Sequence, residues 1–298
     1  MKKLYSCPVC KSEVFNDLFT CRDFSVSKED FKIVYCENCG FTFTNPRPEN
    51  GDLDNYYLSD NYMSHTNKSR GFFETLYQIV RKYTVWQKLR LLKQFSVSKN
   101  HLDIGCGTGE FLNACKNAGF KTRGIEPSEI ARNQAINNYN LSVSENTNLN
   151  QYSTESFNTI SMWHVLEHIP NLNETIKNLS RIIEKNGSLI IAVPNHKSWD
   201  AGYYKQCWAA WDVPIHLWHF SLDSINRLFQ NYEFKLVKTK RMYFDSFYVS
   251  MLSEQYKNGR KSFIFGFFIG FISNIIGFLT KRGLSSTIYI FQKQSKVK

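Results

Sequence analysis

Residues 101–112 read His-Leu-Asp-Ile-Gly-Cys-Gly-Thr-Gly-Glu-Phe-Leu, and no other stretch restricts the fold as tightly. An apolar run ends in a glycine-rich turn, and the turn opens a helix. Gly105, Gly107 and Gly109 permit a sharp reversal and let a ligand approach the backbone closely. The third glycine comes one residue early for a G-x-G-x-x-G dinucleotide turn, and Glu110 stands where that pattern needs glycine. An acidic side chain at the helix start is also poor company for a pyrophosphate. Asp103, just before the turn, instead suits the cationic end of an amino acid.

The neighbourhood of this turn alternates short β-rich runs with helical stretches. Strands are expected at 100–105, 121–125, 158–163 and 188–193, with helices between them, which argues for a parallel sheet with crossover helices. A helix is expected over Phe72–Phe95 and another near 221–231, with further strands near 234–243 and 286–292. The 298 residues are 42% hydrophobic and 21% charged, which excludes wholesale disorder. We divide the chain into a lobe at 1–45, a Tyr-rich linker and helix at 46–98, and an α/β domain at 99–298 with an apolar helical insert at 245–284.

Cys7-Pro-Val-Cys10 and Cys36-Glu-Asn-Cys39 are two C-x-x-C pairs in the first 40 residues. Each pair can place two thiolates on one tight turn, and two such turns facing each other supply four sulfurs at tetrahedral geometry, which suits Zn²⁺. Four free thiols in a small core, or a redox pair, are the alternatives; no thioredoxin-like βαβ context surrounds them. A four-thiolate site is closed, so the metal would be structural and would help a small lobe fold. The start of the chain is charged but has no apolar h-region, which argues against a signal peptide and for the cytoplasm.

The Asp103 turn and the segments after it resemble the class I methyltransferases that use S-adenosylmethionine (SAM), whose first motif is D-x-G-x-G-x-G. The resemblance implies a Rossmann-like sheet with helices on both faces, joined here to a small zinc-ribbon-like lobe. It implies that the Gly105–Gly109 turn wraps the methionine portion of SAM with Asp103 beneath it. It also implies that Glu126, in Gly124-Ile-Glu-Pro-Ser128, accepts the ribose hydroxyls, a bidentate role a carboxylate can fill. Asn148 and Leu149 fall in the loop where the family contacts adenine. Ser161-Met-Trp-His-Val-Leu-Glu-His168 looks like the segment ending in Leu-Glu-His of many small-molecule methyltransferases, and places His164 at the donor; Glu167 and His168 could equally cap the next helix.

The acceptor is less constrained. No [N/D]-P-P-[Y/F] sequence follows the fourth strand, which counts against DNA adenine methylation. The loop Trp208 to Ser221 carries His216 and His219 among aromatics, and an imidazole suits proton removal during methyl transfer. The full layout is similar to that of bacterial sugar-nucleotide C-methyltransferases, in which a His of E-H-x-x-x-F-S is the base and linker tyrosines close the site. Ile215-His-Leu-Trp-His-Phe-Ser221 matches the His and the Phe-Ser, while Ile215 replaces the Glu. Tyr62 is assigned to the linker role, with Tyr57 as the alternative.

Net charge is +11, and residues 235–298 hold 12 basic and 2 acidic side chains. Within them Ser262–Thr280 is apolar. In the class I fold this insert lies between two strands that pair, so a single membrane span would separate partners. Gly266, Gly270, Ser273, Asn274 and Gly277 recur at helical spacing, giving one small-residue face and one Phe/Ile face. The plain reading is a helix packed on the domain or a second subunit. The functional one is a helix lying on an anionic membrane, contacting it through 257–282 at its inner face. The expected activity is SAM-dependent methylation of a small or lipid-linked acceptor, a sugar in surface-polysaccharide assembly. The alternative is RNA methylation, against which the lobe at 1–45 balances 6 basic with 6 acidic residues.

Overall fold

The computed structural model describes residues 1–57, 72–260 and 262–294. The N-terminal strands are β1 (Phe15–Arg22), β2 (Asp30–Cys36) and β3 (Thr42–Thr44). Helix α1 (Phe72–Phe95) follows, then β4 (Asn100–Ile104), α2 (Glu110–Asn117), β5 (Lys121–Ile125), α3 (Glu129–Tyr139), β6 (Val143–Ser144) and β7 (Phe157–Trp163). The chain continues with α4 (Leu172–Ile182), β8 (Ile183–Pro194), α5 (Trp199–Tyr204), β9 (Trp218–His219) and α6 (Leu222–Gln230). It ends with β10 (Phe234–Arg241), α7 (Asp245–Asn258), α8 (Phe263–Leu279) and β11 (Ser286–Lys293).

Seven strands form one sheet in the order β10-β11-β8-β7-β4-β5-β6. The pairs from β8 to β6 are parallel, while β11 runs antiparallel to both β8 and β10. Both faces are covered, as the sequence of β8 requires. Leu189, Ile191 and Val193 enter one core beneath the N-terminal lobe and α4. Ile190 and Ala192, pointing the other way, pack with Leu91, Leu92 and Phe111 of α1 and α2. The period of two along a strand sends successive apolar residues to opposite sides, so a doubly covered strand reads as a continuous apolar run.

The lobe does not stand apart. Its sheet runs β1-β2-β3-β9, so the strand Trp218–His219 from the later half of the chain completes it. Phe41 and Phe43 share a core with Trp218 and Phe220. The Arg47 guanidinium is buried over the Trp218 ring at 4.3 Å and donates to the Pro170 carbonyl. The first cysteine turn is tied down by Asn173 Nδ2 on the Pro8 carbonyl and Asn231 Nδ2 on the Val9 carbonyl, both at 3.1 Å.

The insert is a helical hairpin. A Cβ on Gly266 would lie 2.6 Å from the Met251 backbone, and one on Gly270 2.7 Å from the Ser246 carbonyl oxygen. Small residues therefore let α8 seat directly on α7. Buried Asp200 anchors the hairpin to α5 and β11 by accepting from Trp208 Nε1, Ser273 Oγ and Ser285 Oγ at 2.7–2.8 Å. The opposite face of α8 is open: Ile264 is 76% exposed and Phe268 57%, with Phe267, Phe271 and Ile275 beside them. Among the described residues no helix is long and apolar enough to cross a membrane.

Candidate functional site

The donor turn lies at the carboxyl ends of β4 and β5. Gly105, Gly107 and Gly109 have φ of +70°, +55° and +87°, a region that side chains disfavour. Their surroundings differ. A Cβ on Gly105 would meet Val165 at 2.4 Å and one on Gly109 would meet Leu141 at 2.7 Å, whereas one on Gly107 would meet nothing within 4 Å. The outer two glycines serve close packing, and the middle one faces open space.

Asp103 is buried beneath this turn, and its Oδ1 accepts from Ser161 Oγ on β7. Burial pushes its carboxyl up to about 7, against the Ser161 bond and the charge of Lys88. A carboxylate so short of compensation fits a ligand that brings a cation, as the amino end of SAM does. Glu126 accepts from Gly107 N at 2.8 Å and Ser128 N at 3.0 Å. These bonds fix the carboxylate and leave each oxygen a further lone pair for a diol. Arg81 of α1 pairs with Glu110 and closes over the turn. The residues present therefore fit SAM. Asn148 uses its side-chain oxygen to accept from Asn150 N and donates its own N–H to Asn146, and Leu149 is buried.

His164 directly follows β7 in the left-handed region, at φ +57°. Its Nε2 lies 3.0 Å from Asp245 Oδ2 and its Nδ1 3.3 Å from Glu167 Oε1. Burial alone would depress its pKa, but the two carboxylates outweigh burial and hold it up to about 10. Expected at the donor, His164 has both ring nitrogens committed to carboxylates. Glu167 is fully buried and is held below its ordinary range, because the pairing with His164 outweighs burial.

His216 is 8% exposed and sits edge-on to His168, with ring centroids 4.6 Å apart. Its Nδ1 lies 2.9 Å from the Ala210 carbonyl, so Nδ1–H donates there, and its Nε2 lies 3.9 Å from Asp212 Oδ2. Tyr57 places its hydroxyl 3.1 Å from His168 Nδ1. Burial and the neighbouring His216 push His168 down to about 3. The structure thus brings Tyr57 to the cluster; Tyr62 lies outside the described residues. His219 has a different place from the one expected for a catalytic group. It is buried, its Nε2 is 3.1 Å from Thr44 Oγ1, and its ring packs on Trp211, so its observed part is to link lobe and loop.

Two neighbours of these groups carry no sequence signal. Asp245 opens α7 and reaches His164 from the far end of the chain. Lys88 lies over the Trp163 ring at 4.4 Å, and burial holds its pKa down against the pull of Asp103, Asp245 and Glu110. A groove of about 470 Å³ runs between α1 and residues 240–245, lined by Tyr83, Trp86, Lys88, Arg241, Phe244 and Asp245 among others.

In the lobe, Cys7 Sγ is 3.6 Å from Cys39 Sγ and Cys10 Sγ is 3.5 Å from Cys36 Sγ. All four sulfurs lie within 4.8 Å of one another, and none is in a disulfide. A tetrahedral metal with bonds of about 2.3 Å needs sulfurs about 3.8 Å apart, so the four cysteines fit zinc.

The profile of the methyltransferase-domain family matches residues 78–239. A ubiquinone biosynthesis O-methyltransferase of Haemophilus ducreyi is 32% identical over 108 residues, covering 33% of this chain and 46% of that protein. The corresponding protein of Coxiella burnetii is 30% identical over 104 residues, 33% of this chain and 44% of its own. The match spans just under half the length of these relatives. A SAM-dependent methyltransferase from Archaeoglobus fulgidus superposes with a TM-score of 0.51 at 17% identity, covering 75% of this chain and all of its own. Geranyl diphosphate C-methyltransferase from Streptomyces coelicolor superposes with a TM-score of 0.50 at 11% identity, covering 70% of this chain and 76% of that one. At such identity these two likenesses establish the fold: a class I methyltransferase sheet.

Proposed function

Since this chain belongs to the methyltransferase-domain family, we propose that it transfers a methyl group from SAM to a small or lipid-linked acceptor, a sugar of surface-polysaccharide assembly. The observation that carries the transfer is the buried, under-compensated Asp103 beneath the open Gly107 turn, with Glu126 fixed beside it. SAM supplies an electrophilic methyl group on a sulfonium. Asp103 would hold the amino end, the turn the methionine chain, and Glu126 the ribose. The four cysteines would hold a structural zinc that takes no part in the chemistry.

His216 is the group placed to take a proton from an acceptor hydroxyl or acidic carbon. The Ala210 carbonyl fixes its tautomer, so the Nε2 lone pair is available. Tyr57 and His168 stand beside it and orient an acceptor. Alignment of acceptor and methyl group in line is the larger part of the expected rate gain.

The lipid follows from α8. Its exposed Phe/Ile face is flanked by Arg241, Lys257, Arg260 and Arg282, a pattern suited to a helix lying on an anionic bilayer inner face. Arg241 stacks on Phe278 of this helix and also lines the groove that reaches Asp245, so the groove opens beside the apolar face. Cations set around an apolar ridge favour a membrane over RNA as the partner. The test is a transfer survey with methyl-labelled SAM, the full chain and host extract separated into RNA, protein, lipid and small-molecule pools. Label in the lipid or small-molecule pool is expected; label confined to RNA overturns the acceptor assignment.

A further inference from the structure

Three donor atoms converge beside the acceptor face. A Glu167 carboxylate oxygen and one ring nitrogen each of His168 and His216 lie within 4.8 Å of one another. Glu167 is fully buried, and neither of its oxygens has a hydrogen bond. His164 pairs with it at 3.3 Å but pairs with Asp245 at 3.0 Å as well. His164 is thus shared between two carboxylates, and both Glu167 oxygens are left without a hydrogen bond. A buried charge in that position calls for a further positive partner.

The cluster is also rigidly built. Glu167 and His168 belong to a single helical turn, Leu166–His168, directly after β7. The Leu217 N–H donates to the Glu167 carbonyl at 2.8 Å and so pins the His216 loop to that turn. Ala210 and Tyr57 orient the two imidazoles from outside, as hydrogen-bond partners of metal-binding histidines commonly do. We propose that Glu167, His168 and His216 form a binding site for a divalent transition-metal cation, separate from the four cysteines. Two imidazoles and one carboxylate form a mixed N/O set with coordination positions left open. Bonds of about 2.1 Å require donors roughly 3.0–3.5 Å apart, which small side-chain rotations reach from the observed spacing.

A bound cation would be held by His216 and would take over, for a hydroxyl acceptor, the part of base given to His216 above. An acceptor hydroxyl that reaches the cation loses its proton to water more readily. Its oxygen then forms the new C–O bond as the methyl–sulfur bond breaks, and S-adenosylhomocysteine leaves, a consequence that rests on the methyl-transfer reading above.

Mn²⁺ is the probe, because it prefers N/O donors to thiolates and is followed by electron paramagnetic resonance. The full chain is titrated with Mn²⁺, and SAM affinity is measured on the same samples. One Mn²⁺ per chain is expected, weakened at least 30-fold in Glu167→Gln and in His216→Ala. His168→Ala serves if either variant fails to fold. Absence of Mn²⁺ binding, or binding unchanged in folded variants, overturns the cation site while SAM binding leaves methyl transfer standing. Mn²⁺ bound by a chain with no SAM affinity supports the site and overturns the methyl-transfer reading instead.

Discussion

Thr44 Oγ1 donates to the His216 carbonyl at 2.9 Å and lies 3.1 Å from His219 Nε2. One hydroxyl at the end of β3, five residues past Cys39, thereby holds both histidines of the aromatic loop. The lobe and the aromatic loop form one mechanical unit, joined by the β3–β9 pairing. Cys36→Ser is therefore expected to release zinc and to cost several kcal/mol of stability, because metal binding is part of folding in such sites. Metal analysis with thermal unfolding checks this, and full metal content in the variant would refute the four-thiolate site. Thr44→Val should keep the metal and cost about 1–3 kcal/mol, leaving a buried carbonyl and a ring nitrogen short of a partner.

Two glycines two residues apart should fail differently. Gly105→Ala drives a methyl group into Val165, and a loss of at least about 2 kcal/mol of stability is expected from overpacking and strain. Gly107→Arg fills open space instead, so it should lower SAM affinity at least 100-fold, about 2.8 kcal/mol, at a smaller cost in stability. Calorimetric titration on both variants checks the contrast. Unchanged affinity in Gly107→Arg would remove the donor assignment.

Stability should fall on both sides of neutral pH. His101 and His196 are buried and held down to about 3, and His219 also lies well below its ordinary value. Burial is the main cause in each. They stay neutral in the fold while the unfolded chain takes up protons below about pH 6.5, so stability falls as pH drops from there towards 3. The ceiling is about 1.4 kcal/mol per pH unit for each histidine. His164 has the opposite sign. Held up to about 10 by Asp245 and Glu167 against burial, it contributes fully below about pH 6.5 and loses that contribution as pH rises through 10. Urea denaturation at pH 5, 7.5 and 9.5 should show the maximum in the middle, and His164→Gln should flatten the alkaline limb. Equal stability at pH 5 and 7.5 would contradict the neutral buried histidines.

The exposed face of α8 should bind anionic vesicles in a salt-sensitive manner. Ile264→Asp with Phe268→Asp puts charge on the face pointing away from α7, so vesicle sedimentation should drop at least tenfold while the melting temperature is retained. Equal binding to neutral and anionic vesicles, or binding indifferent to the double substitution, would remove the membrane assignment.

Much of the sheet was legible because its signals are local. The short runs of β5 and β7, the length of α1 and the Asp103 turn each depend on residues within a few positions of one another, and all stand where the sequence places them. The small-residue stripe of α8 likewise announced its packed face. The short strand β9 was not legible: two residues, Trp218 and His219, gain strand geometry only because β3 lies alongside. The pairing of His219 with Thr44 was hidden for the same reason.

The amino-acid sequence by itself therefore determined the donor half of this protein, since a glycine turn, the acid beneath it and the acid on the next strand are fixed by backbone geometry over short spans. Only the tertiary structure decided the histidine cluster. Asp245 meets His164, His168 meets His216, and Tyr57 meets His168 across separations that no periodicity encodes. These contacts exist because the sheet order brings the ends of β7 and β8 under the aromatic loop, and burial then forces the charged and titratable groups gathered there to satisfy one another.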